Sequence, residues 1–535
     1  MGWWIVALVA CQDGKDGDLP DDPTSLPTTD PGPDPDPDDT DSDTTDPGDT
    51  DEPYVTPPDP CEPLAGLTVT GVDVSQPWHE NEARVEVTLS GAASLAVRCT
   101  LAGDATEVHL EESATAALAH TVDFAGLLGE STYDCVAAPV CPSTADAPFA
   151  FAIDTGAVNS ALPAVTTEAT GDEGDEYILV NNAVDCDPWP TNTLMVFDRE
   201  GRPRWWSDTP ASVGPSLEFR YHGDDVFVWG GGWEPAALGR PRRLDVFDGE
   251  IYDAGDALPD LADGLFHHDG KQLADGRLLT LEDIDIEKDT GGTFRGFQVR
   301  RIDPVTDTVD FTYHAQRAYD DGDLPGGFAD AWHANWMDIA EVDGDEVLAV
   351  SLCDLQQVSF IDVATGSWRG TLGAGGDFAV VDTLGAPLGP IGDPQCQHGL
   401  EWDGTRLLAY DNGNQRGYSR ITEYELDFTT MTAVLAWTWT EDDWWETTLG
   451  DVDRLPSGNI LIAMAHAECF SSNPGDTPTI AEVDPVSGDR VWQMQWDDRN
   501  TTFYRADFAD TCTLFANGKY CSGVGDRLLA LSPVF

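Results

Sequence analysis

Positively charged residues are scarce in this chain. Its 535 residues include 98 Asp and Glu but only 27 Lys and Arg, which gives a formal net charge of −71 at pH 7. Such an acidic surface repels phosphate backbones and anionic lipid headgroups, so binding to nucleic acid or to a membrane face through bulk electrostatics is excluded. An anionic substrate would need a local cluster of arginines to overcome this field.

The chain also lacks an apolar run long enough to span a bilayer. The apolar segment at residues 1–10 is too short for that and ends at Cys11. It resembles a bacterial lipoprotein signal, in which Cys11 becomes the lipidated first residue of the mature protein, although no Lys or Arg precedes the apolar run. We therefore expect a signal peptide over residues 1–11, export, and a lipid anchor in the bacterial outer membrane, on its periplasmic or cell-surface side.

The CxxC pairs that are typical of zinc sites are absent as well. An even set of cysteines remains when Cys11 is set aside, and such a set fits disulfides in an oxidising compartment. The economical pairings are Cys99 with Cys135 and Cys512 with Cys521, and a bond between Cys353 and Cys396 is left open. We predict neither a metal site nor a cofactor from these residues.

Composition divides the chain into segments. Residues 12–60 are almost entirely Asp, Pro, Thr, Gly and Ser, which predicts a disordered acidic linker. Residues 61–155 carry short alternating strands and the sequence Tyr133-Asp134-Cys135, which predict an immunoglobulin- or fibronectin III-like β-sandwich. The oligomeric state is left open.

A repeat occupies the remaining segment, residues 165–535. A polar-Gly turn followed by an apolar strand recurs roughly every 50 to 70 residues, which suits a four-stranded blade. The turns lie at Gly223, Gly276, Gly344, Gly404, Gly458 and Gly518. The prediction is an all-β chain with a six-bladed β-propeller, whose ring closes with a strand from near residues 165–180.

Three histidines precede turns of this repeat. His268, His333 and His398 lie shortly before Gly276, Gly344 and Gly404, on strands that would line the central channel. His267 is the alternative to His268 because neighbouring residues alternate faces on a strand. Convergence of three imidazoles favours a functional site, while hydrogen-bonded structural histidines and a Zn²⁺ or Cu²⁺ site are the alternatives.

The motifs around these histidines resemble the bacterial arylsulfate sulfotransferase family, and the resemblance covers roughly residues 165–531. They are Phe266-His267-His268-Asp269, Trp332-His333-Ala334-Asn335, Gln397-His398, Asp411-Asn412-Gly413-Asn414-Gln415-Arg416, Ser419-Arg420, Glu423-Tyr424, Arg454-Leu455-Pro456-Ser457-Gly458-Asn459 and Tyr504-Arg505-Ala506. The resemblance implies a β-sandwich followed by a six-bladed propeller, which agrees with the repeat.

The resemblance also implies a reaction: transfer of a sulfuryl group from a phenolic sulfate ester to a phenol, without a nucleotide donor, through a sulfated histidine. His398 matches the nucleophile. His268 and His333 match the other channel histidines, as proton donor and acceptor or as donors to the sulfuryl oxygens. The expected substrate-binding residues are Arg416, Asn335, Arg505 and His267, and the expected partners are small aromatic sulfate esters and phenols.

One position departs from the family's pattern. The strand after Trp332-His333-Ala334-Asn335 carries a sulfate-gripping arginine in the family, and Cys353 occupies that place here. Arg416, Arg420 or Arg505 would have to compensate. The alternative is a non-catalytic propeller on an exported lipoprotein that binds a small ligand or a protein.

Overall fold

The fold is nearly all β. A computed structural model describes residues 66–140, 148–159, 162–171, 174–185, 193–208, 216–222, 225–230, 241–247, 249–254, 265–327, 332–465, 477–498, 501–510, 512, 514–515, 517–519 and 521–531. The predicted signal segment with Cys11 and the predicted acidic linker at 12–60 lie outside the described residues. Among the helices of the described ranges, none has the length and apolarity that crossing a membrane requires.

The first sheet contains five strands. They are β1 (Val69–Ser75), β2 (Ala83–Leu101), β3 (Val108–Phe124), β4 (Thr132–Pro139) and β5 (Phe149–Asp154). The long β2 pairs with β1, β3 and β4, and the order is otherwise β1-β2-β4-β5. Cys99 on β2 faces Cys135 on β4 and is bonded to it, which confirms the predicted pairing. The two-layer sandwich and the domain boundaries stay predictions.

Six further sheets follow. Their first strands in the chain are β6 (Val165–Ala169), β7 (Tyr177–Asp185), β8 (Thr193–Phe197), β9 (Pro203–Asp208), β10 (Ser216–His222), β11 (Asp225–Gly230), β12 (Pro241–Asp245) and β13 (Gly249–Asp253). Next come β14 (Leu265–Gln272), β15 (Leu278–Glu287), β16 (Thr293–Asp303), β17 (Thr308–His314), β18 (Ala334–Val342), β19 (Asp345–Leu352), β20 (Gln357–Asp362), β21 (Trp368–Gly373) and β22 (Ala379–Val381). The last are β23 (Gln397–Trp402), β24 (Arg406–Asp411), β25 (Arg420–Asp427), β26 (Thr432–Trp439), β27 (Asp451–Arg454), β28 (Ile460–Met464), β29 (Thr479–Val483), β30 (Arg490–Trp496) and β31 (Thr501–Ala509). The described helices are α1 (Gln316–Asp321) and α2 (Ser522–Ala530), and a 3₁₀ turn covers Gly389–Ile391.

These sheets form a closed ring, which confirms the six-bladed propeller. Their orders are β31-β7-β8-β9, β10 to β13, β14 to β17, β18 to β21, β23-β24-β25-β26-β22 and β27-β28-β29-β30-β6. The inner strands β31, β10, β14, β18, β23 and β27 contact one another in turn around the ring. The predicted closure is also confirmed, because β6 pairs with β30 and β7 pairs with β31.

Alternating side chains on the strands fill the space between neighbouring sheets. On β19, Leu348 and Val350 pack towards the β14–β17 sheet, whereas Val347 and Ala349 pack towards the β23–β26 sheet. Strands buried on both faces need continuous apolar sequence, and this explains why β28 reads Ile-Leu-Ile-Ala-Met with every residue buried. The blade cores therefore lie between the sheets and hold the inner strands in place.

Four predicted glycine turns join the first and second strands of their sheets. Gly276, Gly344, Gly404 and Gly458 have φ of 84°, 91°, 94° and 92°, a region that glycine enters without strain. Gly223 lies outside the described residues. The prediction at Gly518 is wrong: this residue follows β31 and lies against the first sheet, where its N–H donates to Val108 O at 2.6 Å.

A buried ion pair joins the first sheet to the propeller. Arg204 on β9 donates from Nη1 to Glu107 Oε1 at 2.5 Å, and both side chains are fully buried. Asn517 Nδ2 donates to the same carboxylate oxygen at 2.6 Å. Helix α2 packs on this sheet as well, and the bond between Cys512 and Cys521 precedes it, as predicted.

Candidate active site

The three predicted histidines meet among the inner strands of three consecutive sheets. His268 lies on β14, His333 directly precedes β18 and His398 lies on β23. The ring centroids of His268 and His333 are 4.6 Å apart, in an edge-on arrangement. The Tyr504 ring lies 6.1 Å from His268 and 6.4 Å from His398. A tyrosine from β31 therefore completes a cluster with the three imidazoles.

Each inner strand that contributes to the cluster has an irregular ladder at that point. The pairing register shifts between Phe266 and Gly270, Ala334 and Trp336, His398 and Leu400, and Phe503 and Ala506. His268 and His333 also have positive φ, at 53° and 46°. Bulges re-aim side chains, and non-glycine residues hold positive φ only where the surroundings enforce it. The local backbone is thus adapted to bring these side chains together.

A hydrogen bond defines the ring orientation of His398, which is buried. The residue is 3% exposed, and its Nδ1 lies 2.8 Å from Asn412 Oδ1. Burial lowers the pKa of His398 to about 3; the hydrogen bond to Asn412 opposes this, while His333 and Arg505 lower the pKa further. The imidazole is consequently neutral at ordinary pH, as a nitrogen nucleophile must be.

Asn335 connects β18 to the strand that carries His398. Its Nδ2 donates to Gln397 O at 2.8 Å, and its Oδ1 accepts from Ser351 Oγ at 2.6 Å. Gln397 Nε2 in turn donates to Ser351 Oγ at 2.9 Å. The side chain of Asn335 is fully buried and engaged with protein groups, so it positions the residue next to His398.

The two arginines expected to bind substrate lie in different places. Arg505 is 3% exposed and belongs to the histidine cluster, where it donates to Asp269 Oδ1 at 2.5 Å. Burial is the main cause of the low pKa of His398, and the charge of Arg505 lowers that pKa further. Arg416 Nη2 lies 2.9 Å from Asp411 Oδ2, an oxygen that also accepts from Arg420 Nε at 2.8 Å. The structure therefore groups Arg505 with the histidines and Arg416 with Asp411 and Arg420. The side chain of His267 lies outside the described residues.

Cys353, which stands where the family resemblance expects an arginine, is bonded to Cys396. Its N–H donates to His333 O at 3.1 Å. Cys396 lies two residues before His398 and has a φ of 49°. The bond between Cys353 and Cys396, which the sequence alone left open, is therefore present, and it joins the loop after β19 to the segment that leads into His398.

Sequence reasoning missed three residues of this cluster: Asp269, Asn412 and Tyr504. Each lies inside a quoted motif, directly beside or shortly after a predicted site residue, but its residue type alone gave no role. Among the residues that the structure describes, no three His, Cys, Asp or Glu side chains are grouped as a metal site would require.

Fold and site together define an all-β propeller with a buried histidine cluster among its inner strands. Residues 392–505 match the family model described as Arylsulfotransferase (ASST). The matched segment contains His398, Asn412 and Arg505, while His268 and His333 precede it. The match supports this family over that segment, and the family's name implies a transferase that acts on aryl sulfates. A comparison with curated proteins gives no significant match.

The chain is also distantly similar to several solved structures. TolB from Acinetobacter baumannii is 12% identical, with 71% of this chain and 80% of that chain covered and a TM-score of 0.37. A hypothetical selenium-binding protein from Sulfolobus tokodaii is 11% identical, with coverages of 78% and 94% and a TM-score of 0.38. Apo AztD from Citrobacter koseri is 9% identical, with coverages of 78% and 99% and a TM-score of 0.25. The fold assignment accordingly rests on the strand pairings.

Proposed function

We propose that the protein transfers a sulfuryl group from a phenolic sulfate ester to a phenol through a sulfated His398, without a nucleotide. The observation that carries the proposal is a buried neutral histidine within the segment that matches the arylsulfotransferase family. His268, His333 and Tyr504 surround the same space. Neutral imidazole is a competent nucleophile towards sulfur, and ring stacking suits an aryl substrate.

In the first step, the lone pair of an imidazole nitrogen of His398 forms a bond to sulfur while the bond between sulfur and the aryl oxygen breaks. The electron pair leaves on the phenolate oxygen, which takes a proton and departs as a phenol. His333 is half-buried whereas His268 is fully buried, so His333 is the better placed to exchange this proton with solvent. His268 then serves as a donor to the sulfuryl oxygens.

In the second step, an acceptor phenol gives its proton to the same base, and its oxygen attacks sulfur. The nitrogen–sulfur bond breaks, and its electron pair returns to His398. Donor and acceptor would use the site in turn, which predicts ping-pong kinetics.

The second candidate is a propeller that binds a phenolic or anionic ligand without turnover. The arrangement of Arg505 favours it: Nη1 donates to Asp269 Oδ1 at 2.5 Å and Nη2 donates to Asn335 O at 2.9 Å. Cys353 forms a disulfide instead of supplying the arginine expected from the resemblance. Both features weaken the grip on a sulfuryl group.

The test is intact-protein mass spectrometry of the full chain after brief exposure to p-nitrophenyl sulfate. We expect a mass gain of one sulfuryl group together with one equivalent of nitrophenol. The His398→Gln variant should show neither, whereas His314→Gln, altered on the exposed end of β17, should behave as the unaltered protein does. Folded protein that gives neither adduct nor nitrophenol would overturn the proposal and favour the binding propeller.

We also propose that the protein is exported and anchored by a lipid on Cys11, which lies outside the described residues. The support is the apolar segment that ends at Cys11. In a Gram-negative host, the unaltered protein should be found in the membrane fraction and be released by detergent. The Cys11→Ser variant should instead be found in the soluble fraction or as the unprocessed precursor. An unchanged membrane fraction would contradict the anchor.

A further inference from the structure

The side-chain amide of Asn412 has a defined orientation. Its Nδ2 lies 3.0 Å from Glu446 O and 3.0 Å from Leu449 O. Carbonyl oxygens only accept hydrogen bonds, so the amide NH₂ must face these two groups. Asn412 is fully buried, and its oxygen consequently faces His398 Nδ1 at 2.8 Å. The assignment of nitrogen and oxygen in this amide thus follows from its neighbours.

This orientation determines where the proton of His398 lies. An amide oxygen cannot donate, so Nδ1 must carry the hydrogen in the bond to Asn412. A neutral imidazole has one hydrogen, which leaves the lone pair on Nε2. The charged and titratable groups beside His398 are His333, Arg505, Tyr504 and Asp451, the last of which packs against Gly399. Burial, which is the largest cause, and the charges of His333 and Arg505 disfavour a second proton on the ring, whereas the hydrogen bonds to Asn412 and to the backbone of Cys396 oppose them.

We propose that Asn412 is a positioning residue that holds His398 in the Nδ1–H tautomer, so that Nε2 is the atom that accepts the sulfuryl group. The assignment of the reacting nitrogen rests on the proposed function, whereas the tautomer does not.

A neutral amide also suits the second transfer. Attack by Nε2 gives an imidazolium that carries SO₃⁻ on Nε2 and a hydrogen on Nδ1, together with the phenolate, so charge balances. The retained hydrogen keeps the ring electron-poor, and the nitrogen–sulfur electron pair returns easily to Nε2 when an acceptor oxygen bonds to sulfur. A carboxylate at this place would draw the Nδ1 proton towards itself and make Nε2 a poorer leaving group.

Ser419 supplies a matched control, because it holds the same loop without contact to His398. Its Oγ lies 3.0 Å from Asn412 O and 3.1 Å from Glu446 O, and it accepts from Glu446 N at 2.8 Å. Ser419→Ala therefore loosens the loop that Asn412 also binds. If the Asn412 variants produce an effect that Ser419→Ala does not produce, loosening of the loop is not its cause.

The first readout is nitrogen NMR of the full chain labelled with ¹⁵N-histidine, with His398→Gln to identify the signals. We expect a protonated Nδ1 and an unprotonated Nε2 for His398 in the unaltered protein and in Ser419→Ala, and a mixture of tautomers in Asn412→Ala. A protonated Nε2 in the unaltered protein would overturn the proposal. So would a tautomer shift in Ser419→Ala as large as that in Asn412→Ala. Neither result depends on detecting sulfuryl transfer.

The second readout separates the two transfer steps with p-nitrophenyl sulfate and phenol. Asn412→Asp keeps an acceptor for Nδ1–H, so the adduct should still form but should decay to the acceptor at least about tenfold more slowly. Asn412→Ala should slow adduct formation by about a hundredfold because the ring is misaligned. An adduct in Asn412→Asp that decays at the unaltered rate would overturn the leaving-group argument. If Asn412→Ala does not fold, the unaltered protein and Asn412→Asp still decide the tautomer.

Discussion

Arg505 reaches from β31 to the carboxylate of Asp269 on β14, with 2.5 Å between Nη1 and Oδ1. Asp269 Oδ2 accepts a second hydrogen bond, of 2.7 Å, from Met337 N on β18. Arg505 Nη2 also donates to Asn335 O at 2.9 Å. One buried pair thus joins the inner strands of three sheets, next in sequence to His268 and Tyr504.

Removal of the Arg505 guanidinium should lower both the stability and the activity of the protein. Arg505→Ala leaves the Asp269 carboxylate buried without its cation, and breaking a buried pair from one side lowers the free energy of unfolding by about 3–5 kcal/mol. Urea denaturation measures the loss, and the nitrophenol assay should show no transfer because His268 and Asn335 lose their common support. Arg406→Ala is the control, since Arg406 and Asp403 form a largely exposed pair at 3.3 Å. That variant should lose at most about 1 kcal/mol, and equal losses in both would contradict the structural role of Arg505.

The bond between Cys353 and Cys396 should matter for both stability and activity. It closes a loop with a sequence separation of 43 and precedes His398 by two residues. Replacing both cysteines by Ala should lower the free energy of unfolding by about 4 kcal/mol on the chain-entropy estimate and should reduce the rate of nitrophenol release.

The bond between Cys512 and Cys521 offers the comparison. Its sequence separation is 9, and it lies beside α2 on the first sheet, away from His268, His333 and His398. Its removal should lower stability by about 2.5 kcal/mol and leave the transfer rate unchanged. If the Cys353–Cys396 variant retains the full rate while its melting temperature falls, the bond does not brace the segment before His398.

The repeat was readable from the sequence because each blade has its own turn glycine and its own apolar strand. Gly276, Gly344, Gly404 and Gly458 mark such turns, and the apolar runs after them are buried on both faces. The error at Gly518 has a physical origin: ring closure pairs β31 with β7 from the start of the repeat, so the last turn-like sequence has no blade to form. Local pattern cannot distinguish a blade turn from a turn that docks on another sheet.

The site was readable only in part. His268, His333 and His398 share a position in the repeat, and their meeting follows from the ring. The partners of Arg416 and Arg505 do not follow from it, because both arginines occur in equally plausible motifs and only tertiary packing brings one to Asp411 and the other to Asp269. The amide orientation of Asn412 likewise depends on backbone carbonyls more than thirty residues further along the chain.

Gly399 allows β23 to approach β27 closely. It has a φ of 23°, and a Cβ at this residue would overlap Asp451 Oδ1 and Cα. Gly399→Ala should therefore displace the strand next to His398, lowering both the melting temperature and the rate of transfer.

Gly344→Ala is the matched change for this prediction. Gly344 has a φ of 91°, but an added Cβ would meet nothing within 4 Å. The expected cost is about 1–2 kcal/mol of backbone strain, with the transfer rate unchanged. A Gly399→Ala variant that is as active as Gly344→Ala would show that the close approach to Asp451 is not needed.

The titration of His398 should be visible in the pH dependence of folding. Burial lowers its pKa from 6.5 to about 3, so between these values the unfolded chain holds a proton here that the folded protein does not. Stability rises with pH wherever the unfolded state binds more protons. The contribution of His398 is therefore fully present above pH 6.5 and is lost as the pH falls towards 3. Within this window its slope approaches about 1.4 kcal/mol per pH unit.

His398→Gln removes this proton-linked term, so the free energy of unfolding should fall less steeply with acid in the variant than in the unaltered protein. Urea denaturation of both proteins across the window from pH 6.5 down to about pH 4 measures the difference, and the many carboxylates cancel because both chains carry them. The same low pKa predicts that nitrophenol release persists well below pH 6.5, since the nucleophile stays neutral there. The contrary result would be that the free energies of unfolding of the two proteins depend on pH in the same way and that nitrophenol release is lost near pH 6.5. The pKa of His398 would then lie close to its ordinary value, and burial would not be the reason for its neutrality.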